Sequence, residues 1–287
     1  MIRQLAKDYP VISLCAALRV SRSAYYTWLK ASSAQRSDEE LRSQIRTIYK
    51  THLRRYGSPR VHAELQADGK RCSRKRVAKL MREEGLRALP LKRYTVTTQS
   101  IEGRPAAPNL LARDFRPGGA PRWVADITYV STGEGNLYLA AVLNLANREV
   151  IGFSMDRDMT VQLTLDALRM AIERGRKRPR LHHSDRGGQY TANSYTAMLR
   201  GHGIEVSNSE RANCYDNAVM ESFFAGMKRE AIYPDPPKTR AQARRLIFEY
   251  IEFYYNRVRR HSSLGYLSPM SYETCNNVSI PTVRGMG

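Results

Sequence analysis

The chain has 287 residues, of which 42% are hydrophobic, and a formal net charge of +20. This length allows more than one domain with a sizeable core. No apolar run approaches the roughly 18 residues that span a bilayer, and no apolar signal segment opens the chain, which argues against a membrane protein or an exported one. The four cysteines are widely spaced and form no CxxC pair, which argues against a disulfide framework or a cysteine-based zinc site. We expect a cytoplasmic protein.

The positive charge is unevenly distributed along the chain. Residues 1–118 hold 25 Lys and Arg against 10 Asp and Glu, residues 119–231 hold 14 against 13, and residues 232–287 hold 8 against 4. Basic flanks around a nearly neutral centre are typical of a protein that holds a polyanion outside an acidic site. This pattern predicts a nucleic-acid partner.

Residues 1–33 have the outline of a helix-turn-helix unit. Apolar residues between Val11 and Leu18 follow helical spacing, the sequence VSRS at 20–23 supplies a turn and a cap, and a second helix begins at about Ala24. Helix pairs of this outline also occur in proteins that do not bind DNA. If the unit does bind DNA, the candidate contacts are Arg22 and Tyr25.

Residues 32–37 are predicted to be a linker, and residues 38–94 a second, basic helical domain. Its last helix is capped by Ser73 and starts with a cluster of basic residues, which opposes the helix macrodipole and favours an external anion. A solvated run of charge is the alternative. The candidate phosphate contacts in this domain are Arg60, Arg74, Lys75, Arg76 and Lys79.

Residues 95–121 contain four prolines and no periodicity, so they are predicted to be a linker. Residues 122–231 then give three closely spaced strand patterns followed by helix, strand, helix, strand and helix. This order predicts a ribonuclease-H-like α/β core with a mixed five-stranded sheet, carrying helical basic N-terminal domains and a C-terminal helical extension. In such a sheet the first and fourth strands are neighbours.

Three acidic residues stand out within this core. Asp126 interrupts a strand pattern, where aspartate is unusual, Asp185 ends the fourth strand, and Glu221 lies on the polar side of an otherwise apolar helix. For Glu221 alone, a solvated surface role would be the simpler interpretation. Carboxylates that converge repel one another unless a cation bridges them, and Mg²⁺ prefers such oxygen ligands. The three residues are therefore predicted to be catalytic and to bind two Mg²⁺ ions, with Mn²⁺ as a substitute.

The residues around Glu221 suggest supporting roles. Asn213, Asp216 and Asn217 precede its helix and are predicted to cap it or to orient Glu221. Lys228 lies two turns after Glu221 on the same polar side and is a candidate DNA contact.

Residues 232–287 form the C-terminal region. A long amphipathic helix is predicted over 239–260, with Arg259 and Arg260 at its end as candidate phosphate contacts. Two adjacent histidines, His182 and His183, lie in the fourth strand. Packing or hydrogen bonding is the favoured role for them, because hard cations prefer oxygen ligands.

Long motifs spread along the chain resemble the catalytic, second-reading-frame (OrfB) subunit of insertion-sequence transposases with a retroviral-integrase-type core. The motifs are SRSAYYTWL, RYGSPRVHAEL, SRKRVAKLMREEGL, WVADITYV, HHSDRGGQY, CYDNAVMESFFAGMKRE and YYNRVRRHSSLGYLSP. The resemblance implies an Asp-Asp-Glu trio with 35 residues before the Glu, matched here by Asp126, Asp185 and Glu221. It also implies cleavage and strand transfer at the element's ends without a covalent protein–DNA intermediate.

The same resemblance implies partners for the chain. These are the terminal inverted repeats and target DNA, further copies of the chain on DNA, and an upstream-frame DNA-binding protein or a fusion to it. No membrane partner is expected, and the protein would be associated with the bacterial nucleoid.

One turn departs from the family pattern. A basic residue and a glycine are expected where Glu210 and Ala212 stand. This departure keeps open the alternative of a catalytically inactive DNA-binding regulator of transposition. A related metal-dependent nuclease that cuts without joining is a second alternative, because it would use the same three acidic residues.

Overall fold

The computed structural model describes residues 1–90, 107–175, 177–210 and 214–278, with side chains described except at 30–36, 214–215 and 277–278. The chain divides into two compact units, Met1–Leu89 and Pro90–Gly287. No helix among the described residues is long and apolar enough to cross a membrane.

The first unit is entirely helical in its described part. Its core is formed by apolar residues of the last three helices, including Ile45, Val61 and Val77, each almost completely buried. The unit comprises α1 (Ile2–Leu5), α2 (Val11–Ala17), α3 (Arg22–Thr51), α4 (Ser58–Ala67) and α5 (Arg74–Glu83). Ser21 and Ser73 cap α3 and α5, since their side chains accept hydrogen bonds from the amides of Ala24 and Arg76.

Helix α3 runs straight through the predicted linker at 32–37, so that prediction is wrong. The segment contains no proline or glycine, and its alanine, glutamine and arginine residues are good helix formers. Serine in a helix interior costs only a few tenths of a kcal/mol, which is too little to end the helix. The helix therefore continues across the boundary predicted between residues 1–33 and 38–94.

The second unit is built on the predicted five-stranded sheet. Its strands are β1 (Arg122–Thr132), β2 (Gly135–Asn144), β3 (Val150–Asp156), β4 (Leu181–Ser184) and β5 (Glu205–Asn208). The spatial order is β3-β2-β1-β4-β5, with antiparallel pairs at β1–β2 and β2–β3 and parallel pairs at β1–β4 and β4–β5. The first and fourth strands are neighbours, as predicted.

Helices cover both faces of the sheet, and each face has its own apolar core. Apolar residues of α6 and α7 pack on one face, and those of α8 and α9 pack on the other. The helices are α6 (Val161–Arg174), α7 (Asn193–Gly201), α8 (Ala218–Met227), α9 (Arg240–Glu249) and α10 (Pro269–Val278). The ribonuclease-H-like fold class is confirmed.

The second half of the predicted linker packs on this sheet. Leu111 is buried in the core on the α8 side, and the Leu110 amide donates to Ser207 Oγ at 2.9 Å. The linker prediction is therefore wrong for residues 107–121, because Leu111 is buried in the core and backbone amides there donate to Ser207 on β5. Residues 95–106 of the predicted linker lie outside the described residues.

The predicted C-terminal helix is observed in two parts. Helix α9 starts at a capping box, in which Thr239 and Gln242 exchange hydrogen bonds. A π-helical segment, Tyr250–Tyr255, continues it directly. A second π-helical segment, Lys228–Ile232, directly extends α8.

Candidate active site

The β1–β4 ladder brings Asp126 and Asp185 to the same level of the sheet. Val124 pairs with His183 in this parallel ladder, and each aspartate lies two residues further along its strand direction. Asp126 Oδ1 accepts a hydrogen bond from the Ile127 amide at 2.8 Å. Asp185 Oδ1 accepts one from the Gly187 amide at 2.9 Å. Both side chains are thus fixed at the level of the sheet where β4 ends beside β1.

The surroundings of the two aspartates disfavour their charged forms. Burial raises the pKa of Asp126 well above its usual value, and the nearby charges of Asp185 and Glu221 raise it further. Burial also raises the pKa of Asp185, although the Gly187 amide opposes the shift. Two half-buried carboxylates with raised pKa values have the properties of a site that a cation would stabilise.

Glu221 lies in the first turn of α8 and is half-buried, which raises its pKa. The start of this helix is tied to β1, because Asn217 Nδ2 donates to the carbonyl of Ala125 at 3.2 Å, directly before Asp126. The Asn217 side chain makes no capping hydrogen bond, so the predicted cap is wrong for this residue. Its observed contact links the helix of Glu221 to the strand of Asp126.

The three acidic residues are only partly assembled. Over the described ranges, no three His, Cys, Asp or Glu side chains form a group that could hold a metal ion. Asp126 and Asp185 are brought together. Glu221 is close enough for its charge to raise the pKa of Asp126, but it does not complete such a group. All three offer carboxylate oxygens, the donor type that fits a hard divalent cation.

The side chain of Lys228 is directed inward, toward β1. The residue is only 8% exposed, and its Nζ lies 5.0 Å from the ring centroid of Tyr129 on β1. Burial lowers the pKa of Lys228, whereas the charge of Asp126 raises it. Lys228, predicted from the sequence as a DNA contact, is thus buried beside Asp126 in this structure.

Asp216 is a buried anchor rather than a helix cap. It accepts hydrogen bonds from Arg113 Nε at 2.8 Å, Asn109 Nδ2 at 3.0 Å and the Glu210 amide at 2.9 Å. Burial alone would raise the pKa of Asp216, but the Arg113 guanidinium and the other donors lower it. Sequence reasoning did not identify Arg113 or Asn109, because they fall in the predicted linker. Asn213 lies outside the described residues.

The two histidines are packed as predicted. His182 Nε2 lies 3.0 Å from the Tyr195 hydroxyl, and burial lowers the pKa of His182 to about 3. His183 contacts the hydroxyls of Ser207 and Ser209, and burial lowers its pKa to about 4. Both imidazoles are therefore neutral, and their contacts hold β4 in place directly before Asp185.

The basic and aromatic candidates of the first unit differ in exposure. Tyr25 is buried and stacks on Trp28, so the prediction that Tyr25 contacts DNA is wrong. Arg76 is paired with Asp38, and Arg60 is half-buried with its guanidinium 5.6 Å from the ring centroid of Tyr56. The exposed candidates are Arg22, Arg74, Lys75 and Lys79.

The two arginines at the end of the helix predicted over 239–260 make contacts within the protein. Arg259 is buried and forms a bidentate ion pair with Glu230, so the prediction that Arg259 contacts phosphate is wrong. Arg260 is half-buried and donates to the Tyr266 carbonyl at 2.9 Å. The signal missed in the sequence was a glutamate at 230, on the helix extension, that could pair with Arg259.

Family models match most of the chain. A model described as an integrase core domain matches residues 119–214, and another of the same description matches residues 202–269. A model described as an HTH-like domain matches residues 36–94. The HTH-like region thus coincides with the second helical domain predicted from the sequence, at 38–94.

Known proteins with similar sequences belong to insertion sequences, and several of them are transposases. The transposase InsF for insertion sequence IS3A of Escherichia coli (strain K12) is 42% identical over 276 residues, covering 94% of this chain and 96% of that protein. A 31 kDa protein of insertion element IS600 from Shigella sonnei is 40% identical over 264 residues, covering 90% and 97%.

The solved structures that align with this chain are viral integrases, and their sequence identity to it is low. The HTLV-2 integrase catalytic core domain in complex with magnesium is 15% identical with a TM-score of 0.42, covering 54% of this chain and 98% of that chain. A simian T-cell lymphotropic virus intasome is 12% identical with a TM-score of 0.46, covering 85% and 77%.

The sheet order and the two core-domain matches define a polynucleotidyl transferase with an integrase-type core. The extent of its identity to InsF then fixes the family. The chain belongs to the insertion-sequence transposases, and its partner is DNA.

Proposed function

We propose that Asp126, Asp185 and Glu221 form the catalytic site of this transposase and together hold two Mg²⁺ ions, with Mn²⁺ as a substitute. Bound at these carboxylates, the ions would supply activation of an attacking oxygen and neutralisation of charge on the phosphate. In the reaction, a water or a DNA 3′-hydroxyl attacks a phosphodiester in line, and the opposite oxygen leaves. The attacking oxygen forms a new P–O bond as the old one breaks, so no protein side chain is covalently linked to DNA.

The pairing of Asp126 with Asp185 carries this proposal. Two half-buried carboxylates with raised pKa values on neighbouring strands cost folding free energy, which a purely structural role does not explain. The contact from Asn217 to the Ala125 carbonyl supports Glu221 as the third ligand, because it fixes the start of α8 against the strand of Asp126. Closing of Glu221 onto the pair would accompany DNA and metal binding.

Around this site, we infer a division of labour along the chain. The basic first unit would bind the terminal inverted repeats through Arg22, Arg74, Lys75 and Lys79, and the core would engage target DNA. Cutting and joining two ends requires two sites, which favours a homo-oligomer assembled on DNA. An upstream-frame DNA-binding protein, or a fusion to it, would complete the assembly on the nucleoid in the cytoplasm.

Strand transfer with purified protein tests the assignment. Duplexes that carry the ends of the element are incubated with target plasmid and Mg²⁺, and cut and joined products are resolved separately. Glu221→Gln is expected to lower both cleavage and joining by about 10³-fold or more, because it removes a charged group required in the transition state. Glu173→Gln, an exposed change on α6, is the matched control and should leave both yields unchanged.

The product pattern separates the remaining possibilities. Joined products from the wild-type chain that are lost in Glu221→Gln support the proposal. Cut ends without joined products would indicate a nuclease, and DNA binding with neither product would indicate a regulator. Wild-type joining by Glu221→Gln would refute the assignment of the third ligand.

A further inference from the structure

A buried ion pair connects the π-helical extension of α8 to the C-terminal region. Glu230 is 2% exposed and Arg259 is 7% exposed. Arg259 Nε and Nη2 each donate to a Glu230 carboxylate oxygen at 2.8 Å, and the Tyr250 hydroxyl donates to the same carboxylate at 2.9 Å. Arg229 Nη2 adds a fourth donor at 2.8 Å. The catalytic role proposed above does not use any of these groups.

The Glu230 carboxylate connects two irregular helical segments. Glu230 lies in the π segment Lys228–Ile232, which extends the helix of Glu221, and Tyr250 opens the π segment Tyr250–Tyr255. π segments are rare and occur often at functional sites.

Stability alone does not account for this arrangement. Desolvation of two charges offsets most of their attraction, and replacing a buried ion pair by apolar residues of similar size is often neutral or stabilising. A local geometry that the pair maintains would explain its presence.

The group held by this geometry is Lys228. It is the first residue of the π segment and lies two residues before Glu230. Its side chain is buried, with Nζ over the Tyr129 ring and close enough to Asp126 for their charges to interact. Lys228 directly follows α8 with helical dihedral angles, so its position relative to β1 depends on where α8 and its π extension are held. Without the pair, this helix could shift relative to the C-terminal helix, and Lys228 would move with it.

We propose that Glu230 and Arg259 are positioning residues for the transposition reaction: their buried pair locks the π segment Lys228–Ile232 and keeps the ammonium of Lys228 beside Asp126. The inference rests on the proposed function of Asp126. It makes residues 240–261 a working part of the catalytic unit, because Arg259 and Tyr250 come from the C-terminal region.

The test uses two variants of the full-length chain. Glu230→Met combined with Arg259→Met removes both charges while filling the space. Arg229, whose side chain is 18% exposed, can turn to solvent, so the fold is expected to be retained. Tyr250→Phe removes only one hydroxyl from the Glu230 carboxylate and is the milder variant. The thermal unfolding midpoint and the affinity for end-bearing DNA are measured first. Values near those of the wild type show that any later change is local.

Two readouts then follow the position of Lys228. Acetylation by an amine-reactive reagent, read by mass spectrometry, is expected to be several-fold faster at Lys228 in the double variant and unchanged at the exposed Lys238. The strand-transfer rate at saturating DNA is expected to fall about 100-fold, because small misplacements of active-site groups have effects of that size. Tyr250→Phe should shift both readouts in the same direction by less.

Two results would overturn the inference. One is a folded double variant that transfers strands at the wild-type rate. The other is a loss of rate with Lys228 still protected from acetylation, because the pair would then act by another route. Glu221→Gln in the same assay separates this failure from failure of the proposed function. If Glu221→Gln is fully active, the metal-site proposal is wrong, whereas a defect confined to Glu221→Gln rejects the inference alone.

Discussion

Asp185 and Asp126 stand at the same level of two parallel neighbouring strands, and the charge of Asp185 raises the pKa of Asp126. In the metal-free protein, this repulsion and the burial of both groups disfavour the ionised state at neutral pH. Such a pair of buried, repelling carboxyl groups lowers the stability of the fold that carries it.

Replacement of Asp185 by asparagine should therefore stabilise the metal-free protein. A carboxyl group whose pKa is higher in the folded state than in the unfolded state destabilises the fold once the pH exceeds the unfolded-state pKa. Removing the charge of Asp185 is therefore favourable at pH 7. We expect a gain of about 1 kcal/mol, or about 2–4 °C in Tm for a domain of this size. Calorimetry with and without Mg²⁺ measures it, and strand transfer should be lost.

Mg²⁺ provides the internal check on this first prediction. It should raise the Tm of the wild type and have little effect on Asp185→Asn. The exposed Asp235→Asn is the matched control and should respond to Mg²⁺ as the wild type does. An equal Mg²⁺ response in Asp185→Asn would argue against a metal ligand at position 185.

Buried His182 should make the folded state sensitive to acid. Burial lowers its pKa to about 3, against an unfolded value near 6.5. Between these values the unfolded state binds a proton that the folded state does not. The contribution of His182 is therefore complete above pH 6.5 and declines as the pH falls, by about 1.4 kcal/mol per pH unit.

Urea unfolding at several pH values tests the histidine prediction. The carboxylates with raised pKa values act in the opposite direction, so the difference between the wild type and His182→Gln isolates the imidazole. This difference should change steadily between pH 6.5 and 5. A pH-independent difference would mean that His182 is not buried in its neutral form.

The contact between β3 and α6 tolerates only glycine at position 152. A Cβ there would come within 2.2 Å of the Ala167 carbonyl oxygen and 2.7 Å of the Ala171 amide nitrogen. Because both are backbone atoms, the helix would have to move. Gly152→Ala is expected to lower the free energy of unfolding by about 3 kcal/mol or more.

Gly201→Ala is the control for Gly152→Ala. Position 201 ends α7, and nothing lies within 4 Å of a Cβ there. This change should be neutral or slightly stabilising, because alanine favours the helix. Equal effects of the two substitutions on chemical denaturation would contradict the close packing of β3 on α6.

The exposed basic residues at the start of α5 should contribute to DNA binding through phosphate. Arg74→Gln and Lys75→Gln are each expected to weaken binding to all DNA sequences about equally and to reduce the slope of log K against log salt by about 0.9. Fluorescence anisotropy across a salt series measures both. Lys70→Gln, whose charge is paired with Glu40, should have a smaller effect. Unchanged salt slopes would place the DNA elsewhere.

The periodic parts of the fold followed from the sequence. Period-two and helical apolar patterns predicted all five strands and the helices between them, and the strand order placed Asp126 beside Asp185. These features are encoded locally, and the register of a half-buried sheet is fixed by which side chains must face its core.

Long-range polar contacts were not predictable in the same way. Arg259 was predicted to contact phosphate at a helix end, but it pairs with Glu230, 29 residues earlier in the chain. Arg113 falls in the predicted linker, but it binds Asp216, 103 residues later. No short pattern encodes such pairs, because the fold alone brings the partners together.

A crystal structure of the wild-type chain soaked in Mn²⁺, with anomalous scattering recorded, is the most direct test of the proposed catalytic site. Anomalous peaks are expected within about 2.2 Å of carboxylate oxygens of Asp126 and Asp185. With end-bearing DNA bound, Glu221 should join these ligands. Ordered aspartates with no peak between them at saturating Mn²⁺ would contradict the proposed catalytic site.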